Sequence, residues 1–439
     1  MEQNRREFIK KTVLTTAGLA IGMNAKSYSR ILGANDRLNF AVIGLHGRAY
    51  AHIEGIRSCV NAMITHICDV DKNVLNKFSE EVYKKFNQIP AGEKDFRKLL
   101  ELKDIDAVTI ASPDHWHAHM TIMSLETGKH VYVEKPCSHN PREGEMLVKS
   151  QKKYGKIVQM GNQQRSSEHT IKIIKKIHEG LIGKPYFGKA WYSNQRKLIG
   201  IGKVVPVPEY LDWDLWQGPA PRRPYKDNIH PYNWHWFWNW GTGETLNNGT
   251  HEVDLCRWAL GVSYPDKITA SGGRYHFRDD WEFYDSLVTN FEYDDKMITW
   301  EGMSCNNKKN YGKDRGVAIH GTDGTVLFDR EGYQVFSLDD KKIDEFKTQE
   351  INTSKDLLSM DKMTDSHFKN FVNAIRNGEK LHSPIVEGNI SVTMLQLSNI
   401  AWKVNRELKT NKENGHIIND TNAMESWKRE YEKGWELKE

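Results

Sequence analysis

Cysteine is scarce: Cys59, Cys68, Cys137, Cys256 and Cys305 are the five in a chain of 439 residues. An odd, widely spaced set without a C-x-x-C pair spells neither a disulfide framework nor a thiolate zinc site, so these read as buried free thiols. An excess of either charge is missing too. Lys plus Arg number 62 against 58 for Asp plus Glu, and that balance offers no single-sign field of the kind that nucleic acid or an anionic membrane selects. Beyond Ala25 there is no apolar run long enough to span a bilayer as a helix, so no integral membrane segment is expected in the mature chain.

What is present begins with length, which exceeds what one hydrophobic core usually supports and so requires two domains after any leader. Residues 1–34 read as leader and linker, 35–157 as a nucleotide-binding domain and 158–439 as the second domain. The leader opens Asn4-Arg5-Arg6-Glu7-Phe8-Ile9-Lys10-Lys11 and continues uncharged from Thr12 to Ala25. Twin arginines, then Phe and Lys, then a short apolar stretch match a twin-arginine export signal, with Met23-Asn24-Ala25 as the cleavage site. Such a signal exports folded protein, so a periplasmic location is expected, with any cofactor acquired beforehand.

Residues 38–43, Leu-Asn-Phe-Ala-Val-Ile, are an apolar β-favouring run that ends in Gly44-Leu45-His46-Gly47-Arg48-Ala49 and a helix-compatible stretch. Strand, glycine turn and helix in that order are the setting of a dinucleotide fingerprint, with the helix N-terminus facing the pyrophosphate. Gly44 makes the tight turn and Ala49 fills the third position. His46 stands where a second glycine would let the backbone approach, with Gly47 beside it restoring some freedom. A second strand at 63–68 delivers Asp69 toward the ribose hydroxyls, where its charge favours NAD over a 2′-phosphorylated cofactor.

Two further strands, 107–111 and 130–133, complete the alternating βα pattern of a parallel, Rossmann-type sheet. The first runs into Ser112-Pro113-Asp114-His115-Trp116-His117, with Ser112 as N-cap and Pro113 at the first helical position. That places Ser112, Pro113 and His117 at the carboxyl edge, where open α/β sheets bind ligands. The second runs into Glu134-Lys135-Pro136. A lysine there donates to a substrate hydroxyl, or takes its proton if burial lowers its pKa. The cofactor candidates are therefore Gly44, His46, Gly47, Arg48, Asp69, Ser112, Pro113, His117, Glu134 and Lys135.

Glu134-Lys135-Pro136, the run 113–117 before it, Gly155-Lys156-Ile157-Val158 and His367-Phe368-Lys369-Asn370-Phe371 resemble the glucose-fructose oxidoreductase, inositol dehydrogenase and rhizopine catabolism (Gfo/Idh/MocA) family. The resemblance covers nearly all of the mature chain. It implies an NAD-dependent oxidoreductase acting on a sugar or sugar derivative. It also implies a C-terminal α/β domain whose open, mostly antiparallel sheet faces the nicotinamide, a late helix returning to the first domain, and a homo-oligomer. The family carries an acid, then His four positions on, then Asp three beyond; here these are Asn247, His251 and Asp254. An amide exchanges no proton at neutral pH, so Asn247 orients a hydroxyl and the proton falls to Lys135 or His251 as catalytic residues. His251 titrates near the working pH and is steered by Asp254 if both share a helical face.

Half of the 14 tryptophans lie between Trp191 and Trp240. Trp234, Trp236, Trp238 and Trp240 recur with period two, which in a strand places four indoles on one face, either as a wall stacking on sugar C–H faces or as core. The polar partners His235, Glu244 and Asn248 are read as hydroxyl binders, with Trp236, Asn247, His251 and Asp254; Asn162, Gln163, Gln164 and Arg165, after a strand ending at Met160, are read as substrate-binding candidates as well. Hydride exchange at a carbinol carbon, with NAD retained through export, is the leading expectation. The same parts also permit transient oxidation, elimination and hydride return, a net glycoside hydrolysis. His115-x-His117-x-His119 with His251 and Asp254 sketches a metal-dependent hydrolase, but a helix starting at Ser112-Pro113 turns His117 away, so no metal is expected. A non-catalytic sugar-binding protein draws support from Asn247 and His46.

Overall fold

Residues 37–348 and 362–438 are described in the computed structural model, and the leader lies outside them. Continuous apolar runs build the first sheet. Strands β1 (Leu38–Ile43), β2 (Ala62–Cys68), β3 (Ala91–Glu93), β4 (Ala107–Ile110), β5 (His130–Val133) and β6 (Val158–Met160) pair in parallel in the order β3-β2-β1-β4-β5-β6. The order reverses between β1 and β4, which opens a crevice at their carboxyl ends. Helices α1 (Ala49–Arg57), α2 (Lys72–Phe86), α3 (Phe96–Glu101), α4 (Asp114–Glu126) and α5 (Pro141–Tyr154) make the connections.

Local chemistry sets the helix ends. Asp71 caps α2 by accepting from Asn73 N and Val74 N, and Asn140 caps α5 by accepting from Glu143 N. The start of α4 lies one residue later than the sequence suggests. Pro113 is its N-cap with ψ 153°, and Ser112 instead turns its hydroxyl toward Met120 Sδ at 3.5 Å. Residues preceding proline are pushed out of the helical region, and Pro113 itself extends the chain.

After α6 (Glu168–His178), a nine-stranded sheet follows: β7 (Pro185–Ser193), β8 (Lys267–Gly273), β9 (Ser286–Glu292), β10 (Met297–Met303), β11 (Arg315–Gly321), β12 (Gly324–Phe328), β13 (Gly332–Ser337), β14 (Lys342–Lys347) and β15 (Leu408–Lys409). Its order is β14-β13-β12-β11-β7-β10-β9-β8-β15, antiparallel except where β7 meets β10. Period-two burial along β9 and β10 shows one covered face. After the short α7 (Trp213–Gln217) and α8 (Gly243–Asn247), helices α9 (Gly249–Leu260) and, later, α11 (Ile385–Val404) cover that face. Between them in sequence, α10 (Lys362–Asn377) returns to the first domain. Phe368 stacks on Tyr132 at 4.3 Å, and Gly55 of α1 lies so close that a Cβ there would sit 2.3 Å from the Phe368 ring.

The chain from Asn194 to Asn248 is a long excursion with only short helical pieces. It crosses onto the first domain, where Lys72 N donates to Tyr210 O and Asp212 N to Val70 O. Its own aromatic core includes Leu211, Trp213, Trp216, Tyr225, Trp234, Phe237 and Trp240. The tryptophan repeat is therefore not a strand. Asn233–Trp236 is a 3-10 turn, and the four indoles scatter: Trp236 lies 3.9 Å from Trp281, Trp238 lies 3.9 Å from Phe283, and Trp240 packs on Trp213 and Trp216. Contacts among large rings outweigh the strand register that their spacing suggests. No helix among the described residues is long and apolar enough to cross a membrane, and all five cysteines are free and buried.

Candidate active site

Gly44 ends β1 with φ +79°, and a Cβ there would lie 2.5 Å from Ser112 N. Only glycine fits that close approach between turns. Leu45 N donates to Asp69 Oδ2 at 2.7 Å, so the acid at the end of β2 is locked against the glycine turn. Its Oδ1 accepts from Asp71 N at 2.9 Å, and burial raises its carboxyl above the usual range. Each carboxylate oxygen keeps a further lone pair for a ribose hydroxyl. Gly44, Leu45 and Asp69 line a cleft together with Phe96, Ser112 and Pro113. Leu215, Trp216, His230, Pro231 and Trp234 of the excursion close it from the other side. The residues present thus fit the adenosine half of a dinucleotide, roofed by a segment that the glycine motif does not foretell.

At the next strand end, Lys135 meets the excursion and α9. Its Nζ donates to Asn247 O at 2.6 Å and Asn247 Oδ1 at 3.2 Å. Burial lowers its pKa, against the pull of the Glu134 and Asp114 charges, which leaves an amine easier to deprotonate than a surface lysine. His251 lies on α9 with its Nδ1 buried and unpartnered among the described residues. Burial, helped by the charges of Arg330, Lys135, Arg315 and Arg48, holds its pKa well below the usual value. His251 is thus a neutral imidazole, a proton acceptor, rather than the group titrating near the working pH that its residue type suggests. Asn162 is 2% exposed, and neither of its amide atoms has a partner among the described residues. Gln164 Oε1 is unpartnered as well.

Several sequence candidates are bound to one another instead. Asp254 does not steer His251: both its oxygens take the Arg165 guanidinium, at 2.6 and 2.9 Å, and Ser391 donates to it from α11. Arg165, in the 3-10 turn Gln163–Ser166 that follows β6, and Asp254 therefore tie α9 to the connection between the two sheets and are corrected from hydroxyl binders to supports. Arg48 Nε and His52 Nε2 meet Glu134 Oε1 at 2.8 and 3.0 Å, and Gln163 donates to the same oxygen at 3.1 Å. That buried network fixes the strand end carrying Lys135 and occupies side chains assigned to cofactor or substrate. Removing one partner would leave a buried charge uncompensated.

Glu244 is occupied in the same way. It accepts from Arg196, Asn247 and Asn248, which makes it an anchor for the amides rather than a hydroxyl reader. Trp236 is buried between Trp281 and the Arg196 guanidinium, 4.7 Å from its ring, so it offers no face to a sugar. His235 Nδ1 donates to Tyr232 O, 2.7 Å away, the ring stacks on Trp234 at 3.6 Å, and burial pushes its pKa down to about 3. The three histidines of α4 do not converge: His115 meets Trp216 O and Trp240 O, His117 meets Ser112 O and Pro136 O, and His119 meets Trp435 O. Arg196 and Arg315, the latter held by Glu252 at 2.7 Å, are site neighbours that sequence reading missed, because nothing in their local patterns marks them.

Asn247→Asp is expected to move the rising limb of any Lys135-dependent rate profile to higher pH by about one unit or more, because an anion beside the ammonium favours its charged form. The structure adds a counterforce, since Asn247 Nδ2 lies 3.3 Å from Glu244 Oε1 and an acid would face an acid there. A pH–rate profile checks this; a limb that stays in place would show that the amide, not its neutrality, sets the lysine.

Comparison with known proteins agrees with this arrangement. Residues 38–162 match "Oxidoreductase family, NAD-binding Rossmann fold", and 168–437 match "Oxidoreductase family, C-terminal alpha/beta domain". A protein of Shewanella sp. strain ANA-3 named glycosyl hydrolase family 109 protein 1 is 28% identical over 214 residues, 44% of this chain and 46% of its own length. An alpha-N-acetylgalactosaminidase of Shewanella oneidensis is 26% identical over 212 residues, again 44% and 46%. The chain thus spans slightly under half the length of these curated relatives. Among solved structures, a levoglucosan dehydrogenase in complex with NADH and levoglucosan superposes with TM-score 0.66 at 17% identity, covering 85% of this chain and 99% of that one. The WlbA dehydrogenase of Bordetella pertussis, in complex with NADH and UDP-GlcNAcA, gives 0.63 at 19%, with the same coverages, and both share the fold. With both halves of the chain matched in sequence order, this protein belongs to the Gfo/Idh/MocA oxidoreductase family.

Proposed function

We propose that the chain holds NAD in the cleft beneath the excursion and exchanges hydride with a carbinol carbon of a sugar or sugar derivative. The observation that carries this is the Lys135 amine, buried at a strand end and held at Asn247 beside a neutral His251. Bound NAD supplies the hydride acceptor. Lys135 takes the hydroxyl proton as the C–H bond breaks and the carbonyl forms, and its lowered pKa eases that transfer. Asn162 and Asn247 orient hydroxyls, and the neutral His251 accepts a hydroxyl hydrogen bond.

The names of the Shewanella relatives favour a second reading of the same machinery. Transient oxidation acidifies a neighbouring C–H, His251 or Lys135 removes that proton, the glycosidic oxygen leaves, water adds and the hydride returns. The twin-arginine leader supports export to the periplasm, where free NAD is absent, and both readings then need a retained cofactor. The sheet face opposite α9 and α11, where Val288 is 43% exposed, supports self-association.

Protein purified without added nucleotide is expected to release NAD only on acid denaturation, as chromatography of the supernatant would show. Chromogenic glycosides turned over without an external acceptor would select the hydrolytic reading; stoichiometric reduced nicotinamide on adding sugars would select net oxidation. Protein carrying no NAD and unresponsive to added NAD would sink both.

A further inference from the structure

We propose that His46, Asp71 and His230 form a transition-metal site of the zinc class that pins the excursion to the cofactor domain beside the cleft. One ligand comes from the glycine turn after β1, one from the N-cap of α2 and one from the excursion, so no single stretch of sequence announces it. The three donor atoms lie within 4.8 Å of one another. His230 Nε2 and Asp71 Oδ2 are 3.9 Å apart. That is too long for a hydrogen bond and close to the edge, about 3.4 Å, of a tetrahedron with bonds of about 2.1 Å. The two imidazoles stand edge to face with centroids 5.6 Å apart.

The chemistry of each donor agrees. Asp71 spends Oδ1 on the cap, accepting from Asn73 N at 2.9 Å and Val74 N at 3.1 Å, which leaves Oδ2 turned to His230. No ring hydrogen bond engages His46 or His230 among the described residues. The side chains of Asp71 and His230 are 5% and 7% exposed, while His46 is exposed and lines the cleft. Such an ion would be gripped on its buried side and open toward the cleft, with room for water or a phosphate oxygen. Two imidazoles and one carboxylate suit zinc better than magnesium or calcium, which favour all-oxygen shells. Resting on the NAD reading above, the bound ion would hold the roof down and slow cofactor exchange.

The test uses full-length protein stripped by chelator and titrated calorimetrically with zinc chloride, beside His230→Ala and Asp71→Asn. Asparagine keeps the helix cap but removes the anionic ligand. His46→Gln, at an exposed position, keeps the test decisive if either of the others fails to fold. One tight equivalent is expected in wild type, weakened by about a hundredfold or more in each variant, exceeding the loss that removal of a mere outer-shell support causes. Equal affinity and stoichiometry in wild type and variants overturns the site. Exchange of bound for labelled NAD is expected to slow with zinc in wild type alone, and zinc binding without that slowing overturns the clamp. Zinc uptake by a protein that takes no NAD would sink the cofactor reading while confirming the site.

Discussion

Lys135→Met is expected to lower turnover by about 10²–10⁴-fold, the scale of a positioned proton acceptor, while the folded protein keeps its nucleotide. Methionine retains the hydrocarbon stem that packs at the end of β5, so the change removes the amine with little change in volume. It strands the Asn247 carbonyl, which loses its 2.6 Å donor, at a cost of about 1–3 kcal/mol. That cost is too small to unfold a two-domain protein. In wild type, the unprotonated amine is the active form, and burial lowers its pKa. Activity should therefore rise with pH through a value below 10.5 and then level. In the variant that limb should vanish, with any residual rate following His251. Single-turnover absorbance of reduced nicotinamide across pH measures both. A variant at the wild-type rate would remove Lys135 from proton transfer and place the burden on the imidazole.

Much of the first domain is legible because its signals are local. The run Leu38–Ile43 is apolar throughout, Gly44 occupies a positive φ that forbids a side chain, and Asp69 follows a second apolar run at the expected place. Lys135 is legible for the same reason, as a lysine at a strand end. The partners of charged residues are not. Nothing within the sequence around Asp254 says that Arg165, 89 positions earlier, will take both its oxygens. Likewise Arg48 and Glu134 are 86 positions apart. Each stands at a motif position that points to a ligand, and the fold supplies its partner from elsewhere in the chain. The tryptophan repeat fails for a different reason. Period two is evidence for a strand only when a neighbouring strand pairs with it, and here the rings find Trp281, Phe283, Trp213 and Trp216 instead. His230 and Asp71 carry no sequence signal at all, since loop crossing alone brings them together.

Acidification from pH 6.5 to about 5 is expected to cost this protein several kcal/mol of stability, more than its balanced composition would suggest, through histidines buried in neutral form. Burial pushes the pKa of His115, His119 and His235 down to about 3, and that of His130 and His367 to about 4. In the unfolded chain each titrates near 6.5, so between that pH and about 4 the unfolded state binds more protons than the native one. Stability then falls with falling pH, each group contributing at most about 1.4 kcal/mol per pH unit. The full sum is an upper bound, because partial opening hydrates some rings. The buried carboxyls of Asp114 and Glu143 act with opposite sign: their pKa values are raised, so their cost is relieved as the pH drops. That relief begins only as the carboxyls approach protonation, so the loss should be steepest midway between the unfolded and native histidine pKa values, at about pH 5, and flatten from about pH 4 downward. Urea midpoints by far-UV circular dichroism at half-unit steps, at fixed protein and nucleotide concentration, would trace this shape. A midpoint that stays level from pH 7.5 to 5 would mean that these rings are already charged or hydrated in the native protein, and the neutral His251 on which proton transfer depends would fall with them.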